Sequence, residues 1–184
     1  MSLLRPFKAT DLFTFNHVNL DAFTETYSIS YYMNNLSQWP DQFCAVEDTK
    51  GTLMGYMMGK TEGRGEDWHG HVTAVTVSPE YRRLGLARNM MQFLEKMSDQ
   101  MNCYFVDLYV RMSNELAVTM YEGMGYTVFR RVREYYSGGV QPPEDAYAPL
   151  SLLDMRKPCS RDKERKNYRT NGREIFVNPE DCFI

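Results

Sequence analysis

The stretch "HGHVTAVTVSPEYRRLGLARNMM", residues 69–91, decides the fold. Its first nine residues alternate. His71, Thr73, Val75 and Val77 fall on one face and Val72, Ala74 and Thr76 on the other, the period of two that a strand requires. Ser78-Pro79 stops the strand. Beyond it Ala87, Met90, Met91, Leu94, Met97 and Met101 recur at helical spacing, opposite Arg88, Asn89, Gln92, Glu95 and Asp99. The joint therefore presents a helix N-terminus, where N–H groups lack intrahelical partners and the macrodipole is positive. Gly85 allows close backbone approach there, with Arg82 and Arg83 alongside, and such a site suits phosphate. It is not a P-loop, because no G-x-x-x-x-G-K-[ST] follows a strand. Taken alone, the pattern reads equally well as the solvated start of an ordinary helix.

Working outward, "NELAVTMYEGMGY" (114–126) sets Ala117, Met120, Tyr121 and Met124 on one helical face, with Ser113 as the expected cap. "YFVDLYV" before it alternates as a strand, and "YTVFRRVREYY" and a segment near "DMRK" complete the sheet. Upstream, Thr10 is the expected cap of a helix carrying Leu12, Phe13, Phe15 and Leu20, and "SYYMNNLSQWP" is a second helical patch. "QFCAVED" and "TLMGYMMG" read as strands joined by a turn at Thr49-Lys50-Gly51. Helices, an antiparallel meander, then strand–helix–strand–helix–strand make a mixed α/β (α+β) fold, one sheet with helices on its faces.

A chain of 184 residues, 43% hydrophobic, suffices for one well-cored domain, taken as 1–157, followed by a basic tail at 158–184 that could be poorly ordered. Net charge is −3, but residues 156–184 carry +3 and the first 155 carry −6. The acidic body argues against a dedicated nucleic-acid binder. No run is long enough for a membrane span, and the N-terminus lacks a basic-then-apolar signal. Cys44, Cys103, Cys159 and Cys182 are scattered without metal-ligand spacing, so reduced thiols, a cytoplasmic protein and no metal are expected.

Arg82-x-x-Gly85-x-Ala87, a strand, and then Asn114-x-x-Ala117-x-x-x-Tyr121-x-x-x-Gly125-Tyr126 resemble the GCN5-related N-acetyltransferase superfamily. The resemblance implies a central, mostly antiparallel sheet with a splayed parallel strand pair, and acetyl-CoA as co-substrate. The loop of Arg82, Arg83, Gly85, Leu86 and Ala87 would cradle the coenzyme pyrophosphate. The backbone at Val75 and Val77 would hold the pantetheine and thioester, with Asn114 and Tyr121 on the helix beneath the sulfur. "NLDAFTETY", "LMGYMMGK", "WHGHVTAV", "RRLGLA", "FVDLYVR", "YYS", "EDAY" and "DMRK" are more closely similar to the catalytic subunits of NatB N-terminal acetyltransferase complexes. That family acetylates the α-amine of nascent chains beginning Met-Asp, Met-Glu, Met-Asn or Met-Gln, with a large helical-repeat auxiliary subunit at the ribosome. Ala148 to Leu153 look inserted relative to it, and the chain beyond about Asp162 does not align.

The chemistry narrows the roles. Attack of an amine on a thioester builds negative charge on the carbonyl oxygen, and a preorganised N–H donor near Val75 to Val77 is worth about 3 kcal/mol. A thiolate leaves, and a phenol is a sensible acid for it: Tyr121. An α-amine, with a pKa of about 8, is already roughly one-tenth neutral at pH 7, so a water held by Glu25 or His71 suffices as base. The resemblance assigns peptide contacts to Glu25, Tyr27, His71, Thr73, Ala74, Tyr135 and Tyr136. Taken singly, His71 reads first as a sheet histidine, and Tyr135-Tyr136 as cross-strand packing. Alternative functions are acetyl transfer to lysine side chains or small amines, or a non-catalytic interaction subunit.

Overall fold

Residues 53–59, LMGYMMG, are apolar on both faces of the strand they would form, so that strand must be covered on both sides. In the computed structural model, which describes residues 2–20, 24–133 and 151–182, Leu53 to Gly59 are all buried. The backbone gathers into two units, Met1–Val106 with Cys159–Arg161, and Asp107–Pro158 with Asp162–Ile184. In the first, β1 (Ser2–Pro6), β2 (Phe43–Asp48), β3 (Leu53–Glu62) and β4 (His69–Val77) pair antiparallel in that order. The opening residues of β5 (Phe105–Arg111) come next.

One face of this meander carries Tyr56 and Met58 and packs with Phe7, Phe15, Tyr32 and Phe43 beneath α1 (Asn16–Asn19) and α2 (Ile29–Gln38). Both phenols in that cluster, Tyr32 and Tyr56, donate to Oδ1 of buried Asn19, which removes the cost of burying them. The other face takes α3 (Leu86–Gln100) through buried Met90, Met91 and Leu94. The helix sits close because Gly59 and Gly70 lack side chains: a Cβ at Gly59 would stand 2.8 Å from Leu94, and one at Gly70 2.0 Å from Ser98 Oγ. The sequence pattern had Met101 on the buried stripe, but it is 40% exposed and Ser98 is buried instead.

Thr10 lies inside the first turn and not at its cap: that turn is a 3-10 helix, Ala9–Phe13, with Lys8 at its N-cap and the Asp11 carboxylate accepting from Lys8 N–H. Phe13 and Leu20 of that segment are 86% and 71% exposed. Cys44 and Cys103 are buried and unpaired, and burial pushes their thiols up to about 12 and about 11, so they stay protonated.

In the second unit the rest of β5 is followed by β7 (Leu152–Pro158), β6 (Thr127–Val132) and β8 (Phe176–Val177). β6 pairs antiparallel with β7 and parallel with β8, while α4 (Glu115–Glu122) carries buried Val118 and Tyr121. The fold is the mixed α/β arrangement expected. Leu152 and Leu153, read as insertion, begin β7 and pair with Val132 and Arg131. The segment set apart as a basic tail builds β8 onto this sheet. Arg169 and Arg173 of that segment are engaged within the chain: Arg169 lies 3.6 Å from the Phe129 ring centroid, and Arg173 pairs with Glu122.

Asp154, fully buried, accepts from Arg130 Nε at 2.7 Å and from Arg156 Nε and Nη2 at 3.2 Å. Arg156 Nη1 continues to Asn167, which donates to the turn-capping Asp162. Asp154→Ala would remove the carboxylate shared by buried Arg156 and half-buried Arg130, a change of the kind that costs about 3–5 kcal/mol. We expect the melting temperature to fall by roughly 10 °C in a thermal unfolding experiment. A shift under about 2 °C would mean the network adds nothing net.

Candidate active site

The strand-to-helix joint lies where the sequence suggested. A 3-10 turn, Pro79–Tyr81, follows β4, and Arg82 Nε donates to the Val77 carbonyl at 3.2 Å, folding the arginine back along the strand end. Arg83 and Gly85 both take left-handed backbone, φ 64° and 77°. Gly85 occupies the N-cap of the 15-residue α3, and its carbonyl receives Asn89 N–H at 3.0 Å. A glycine has no side chain to cap the first turn, and none does so here. The N–H groups of that turn thus face outward beside Arg82 and Arg83. A Cβ placed on Gly85 would meet nothing within 4 Å, so the exposed backbone can be approached closely.

A second feature lies on β4. Met58 pairs with Ala74 but Gly59 with Val72, so Thr73 is an extra residue, a β-bulge. The bulge corrects the simple alternation. By register His71 shares a face with Ala74 and Thr76, and Val72 shares the opposite face with Val75 and Val77. His71 therefore lies on the side of α1 and α2. Onto that side folds the segment leading to α2. Thr24 Oγ1 bonds Thr76 Oγ1 at 2.7 Å, and Tyr27 Oη donates to the Thr73 carbonyl at 3.3 Å. Glu25, exposed, lies between those two anchors. Tyr27 is stacked on Tyr31 with centroids 4.6 Å apart. Thr73 Oγ1 is buried without a hydrogen-bond partner among the described residues.

In the second unit, Asn114 rather than Ser113 caps α4: its Oδ1 accepts from Ala117 N–H at 3.2 Å. Tyr121, the penultimate residue of α4, is 7% exposed, with the Tyr126 ring edge-on at 6.0 Å. Burial holds its phenol well above the ordinary tyrosine range, so the hydroxyl keeps its proton at any physiological pH.

A helix N-terminus opened by glycine after a bulged strand, then a strand and a helix bearing Asn and Tyr, is an arrangement that matches the acetyltransferase (GNAT) family over residues 12–126. The chain belongs to that family. Among curated members of this acetyltransferase family it is 51% identical over 184 residues to the N-terminal acetyltransferase B complex catalytic subunit of Schizosaccharomyces pombe, covering 98% of each chain. It is 53% identical over 168 residues to the corresponding subunit of Arabidopsis thaliana, covering 91% of each. Its backbone is similar to the crystal structure of Chaetomium thermophilum Naa20 in complex with a bisubstrate analogue, with a TM-score of 0.89 at 38% identity over 97% of each chain.

Of the residues singled out in the sequence, this acetyltransferase brings Arg82, Arg83, Gly85, Leu86 and Ala87 together at the start of α3, and Glu25, Tyr27, Thr73 and Ala74 together where the 24–27 segment crosses β4. His71 shares the β4 face of Ala74. Tyr135 and Tyr136 lie outside the described residues. The bonds that fix Glu25, Thr24 to Thr76, were missed by sequence reasoning, and so was the bulge. Neither has a local signature: one needs a contact across 52 positions, and the other a one-residue excess visible only in the pairing.

Proposed function

We propose that the protein is a NatB-type N-terminal α-acetyltransferase that moves acetyl from acetyl-CoA to the initiator Met of chains beginning Met-Asp, Met-Glu, Met-Asn or Met-Gln. The observation that carries the reading is full-length likeness, at 51% identity, to a relative named for that catalytic role. Arg82 and Arg83 with the first-turn N–H groups of α3, from Gly85 to Ala87, bind the pyrophosphate. Backbone at Val75 to Val77 holds the pantetheine and donates to the oxygen that becomes negative as the amine attacks. Asn114 Nδ2 remains for the coenzyme while its Oδ1 caps the helix. The C–S bond breaks as the amide forms. The amine proton leaves through water ordered by Glu25 or His71, and the Tyr121 hydroxyl donates to the departing thiolate.

His71, Tyr27, Thr73 and Ala74, with Tyr135 and Tyr136, receive the first two residues of the peptide. Phe13, Leu20, Ile29 and Met33 offer exposed apolar surface on the N-terminal helices, 86%, 71%, 59% and 42% exposed, for a large helical-repeat auxiliary subunit. In this reading the complex works in the cytoplasm, on nascent chains at the ribosome. Among the described residues no helix is long and apolar enough to cross a membrane.

The test is specificity. A hydrogen bond to a charged carboxylate contributes about 1.5–3 kcal/mol. Donation from His71 and a phenol to the second side chain therefore gives a preference of roughly 10–150-fold in kcat/KM for Met-Asp over Met-Ala or Met-Lys peptides. His71→Ala is expected to erase most of it and leave acetyl-CoA affinity unchanged. Steady-state kinetics on the four peptides Met-Asp, Met-Asn, Met-Ala and Met-Lys decide the matter. Equal loss on all of them would make His71 a sheet residue. A parent enzyme that prefers an internal lysine would refute the NatB reading and leave the acetyltransferase assignment standing.

A further inference from the structure

We infer that Glu62, His69 and His71 form a binding site for a divalent cation of the zinc class, built across the far ends of β3 and β4. His69 and His71 are two apart on one strand, and register places Glu62 directly opposite His69, so all three side chains leave the same face of the sheet. One potential ligand atom from each lies within 4.8 Å of the other two. Two histidines and a carboxylate supply three donors of the kind zinc takes.

The supporting contacts point the same way. His69 is buried, its ring stacked on Phe105 at 4.7 Å, and its Nδ1 lies 2.5 Å from the Asp67 carbonyl. A carbonyl can only accept, so Nδ1 carries the proton and Nε2 is the basic nitrogen of the neutral ring. Backbone bonding of this kind fixes tautomer and ring orientation in metal-binding histidines. That Nε2 stands 3.9 Å from Glu62 Oε1, its side chain 38% exposed. Ligand atoms around a tetrahedral zinc are about 3.3 Å apart, given bonds of about 2.0–2.1 Å. Rotation of the half-exposed Glu62 and of His71 supplies the contraction, while His69 stays fixed.

One group opposes the ion. Lys60, paired with His71 across the strands, holds Glu62 Oε2 at 2.6 Å. Its ammonium competes for the carboxylate and repels the cation, which makes the site a reversible one rather than a permanent structural zinc. Asp67 Oδ2, 3.9 Å from His69 Nδ1, offsets part of that positive charge. Occupation would take the His71 imidazole, so zinc would inhibit turnover of Met-Asp peptides. That consequence rests on the proposed peptide contact of His71, whereas the site itself does not.

The experiment titrates the EDTA-treated full-length protein with Zn²⁺ by calorimetry and with Co²⁺ by visible absorption. One ion per chain is expected, with Co²⁺ bands of the intensity that low coordination produces. Glu62→Gln and His69→Gln should each weaken binding by at least about tenfold, since even outer-shell changes cost 10–100-fold. Lys60→Met should strengthen it, a response that an ion held elsewhere would not give. Circular dichroism checks that the variants fold, and Glu62→Gln, on the surface, guards against a folding failure at buried His69. No saturable binding, or binding unchanged in both ligand variants, would overturn the site. Zinc bound with Met-Asp turnover unaffected would uphold the site and count against the peptide role of His71.

Discussion

Tyr121→Phe is expected to lower kcat by roughly 10²–10⁴-fold with KM little altered, because it keeps the ring and removes the proton proposed for the leaving thiolate. The ring is what packs: it meets Tyr126 edge-on and is almost wholly buried, so the variant should fold as the parent does. Burial also decides the protonation state. The folded phenol titrates well above its ordinary value, so the acid form is the only one present through neutral and mildly basic pH. The sign of the pH dependence follows. Activity should rise with pH as the peptide α-amine, pKa about 8, loses its proton, and should not fall again near pH 10, where an exposed tyrosine would ionise. Steady-state kinetics from pH 6 to 10 on parent and variant test both statements. A variant rate within about twofold of the parent would return Tyr121 to the core.

The reach of the sequence can be judged from particular elements. Local periodicity was enough to locate β3, β4, α3 and β5 along the chain. It failed at β1, where Ser2 to Pro6 form an edge strand with mostly exposed residues and thus no alternation to read. It failed also at Thr73. Alternation assumes one residue against one, and the bulge breaks that count, carrying His71 to the face opposite Val75. The cap of α4 moved by one residue because Ser113 and Asn114 are both good caps, and only the backbone decides between them. Gly85 was legible because its role is local: a left-handed residue at a helix start needs no distant contact. The tail was not, since "RKPCSRDKERKNYRTNGRE" reads as solvated charge until Phe129, 40 positions before Arg169, is placed beneath that arginine.

Gly85→Glu is expected to abolish acetyl-CoA binding, and the geometry separates the causes. At φ 77° any side chain is strained, which costs about 1 kcal/mol of stability. Yet a Cβ there meets nothing within 4 Å, so the protein has room for it and should fold. Gly85→Ala therefore bears the backbone cost alone and should keep most of the affinity. Glutamate adds a carboxylate at the positive end of α3, where the coenzyme's phosphates are proposed to sit. In the free protein that charge is favourable, worth about 0.3–1 kcal/mol near a helix N-terminus, so the variant should melt no lower than the alanine one. Toward a pyrophosphate the same charge is repulsive. Like-charge juxtaposition at a contact costs several kcal/mol, hence at least about a hundredfold in affinity. Calorimetry with acetyl-CoA and thermal melts of parent, Gly85→Ala and Gly85→Glu, in one buffer, distinguish the terms. A folded Gly85→Glu protein that binds acetyl-CoA as the parent does would remove the start of α3 as the phosphate site, and Arg82 and Arg83 with it.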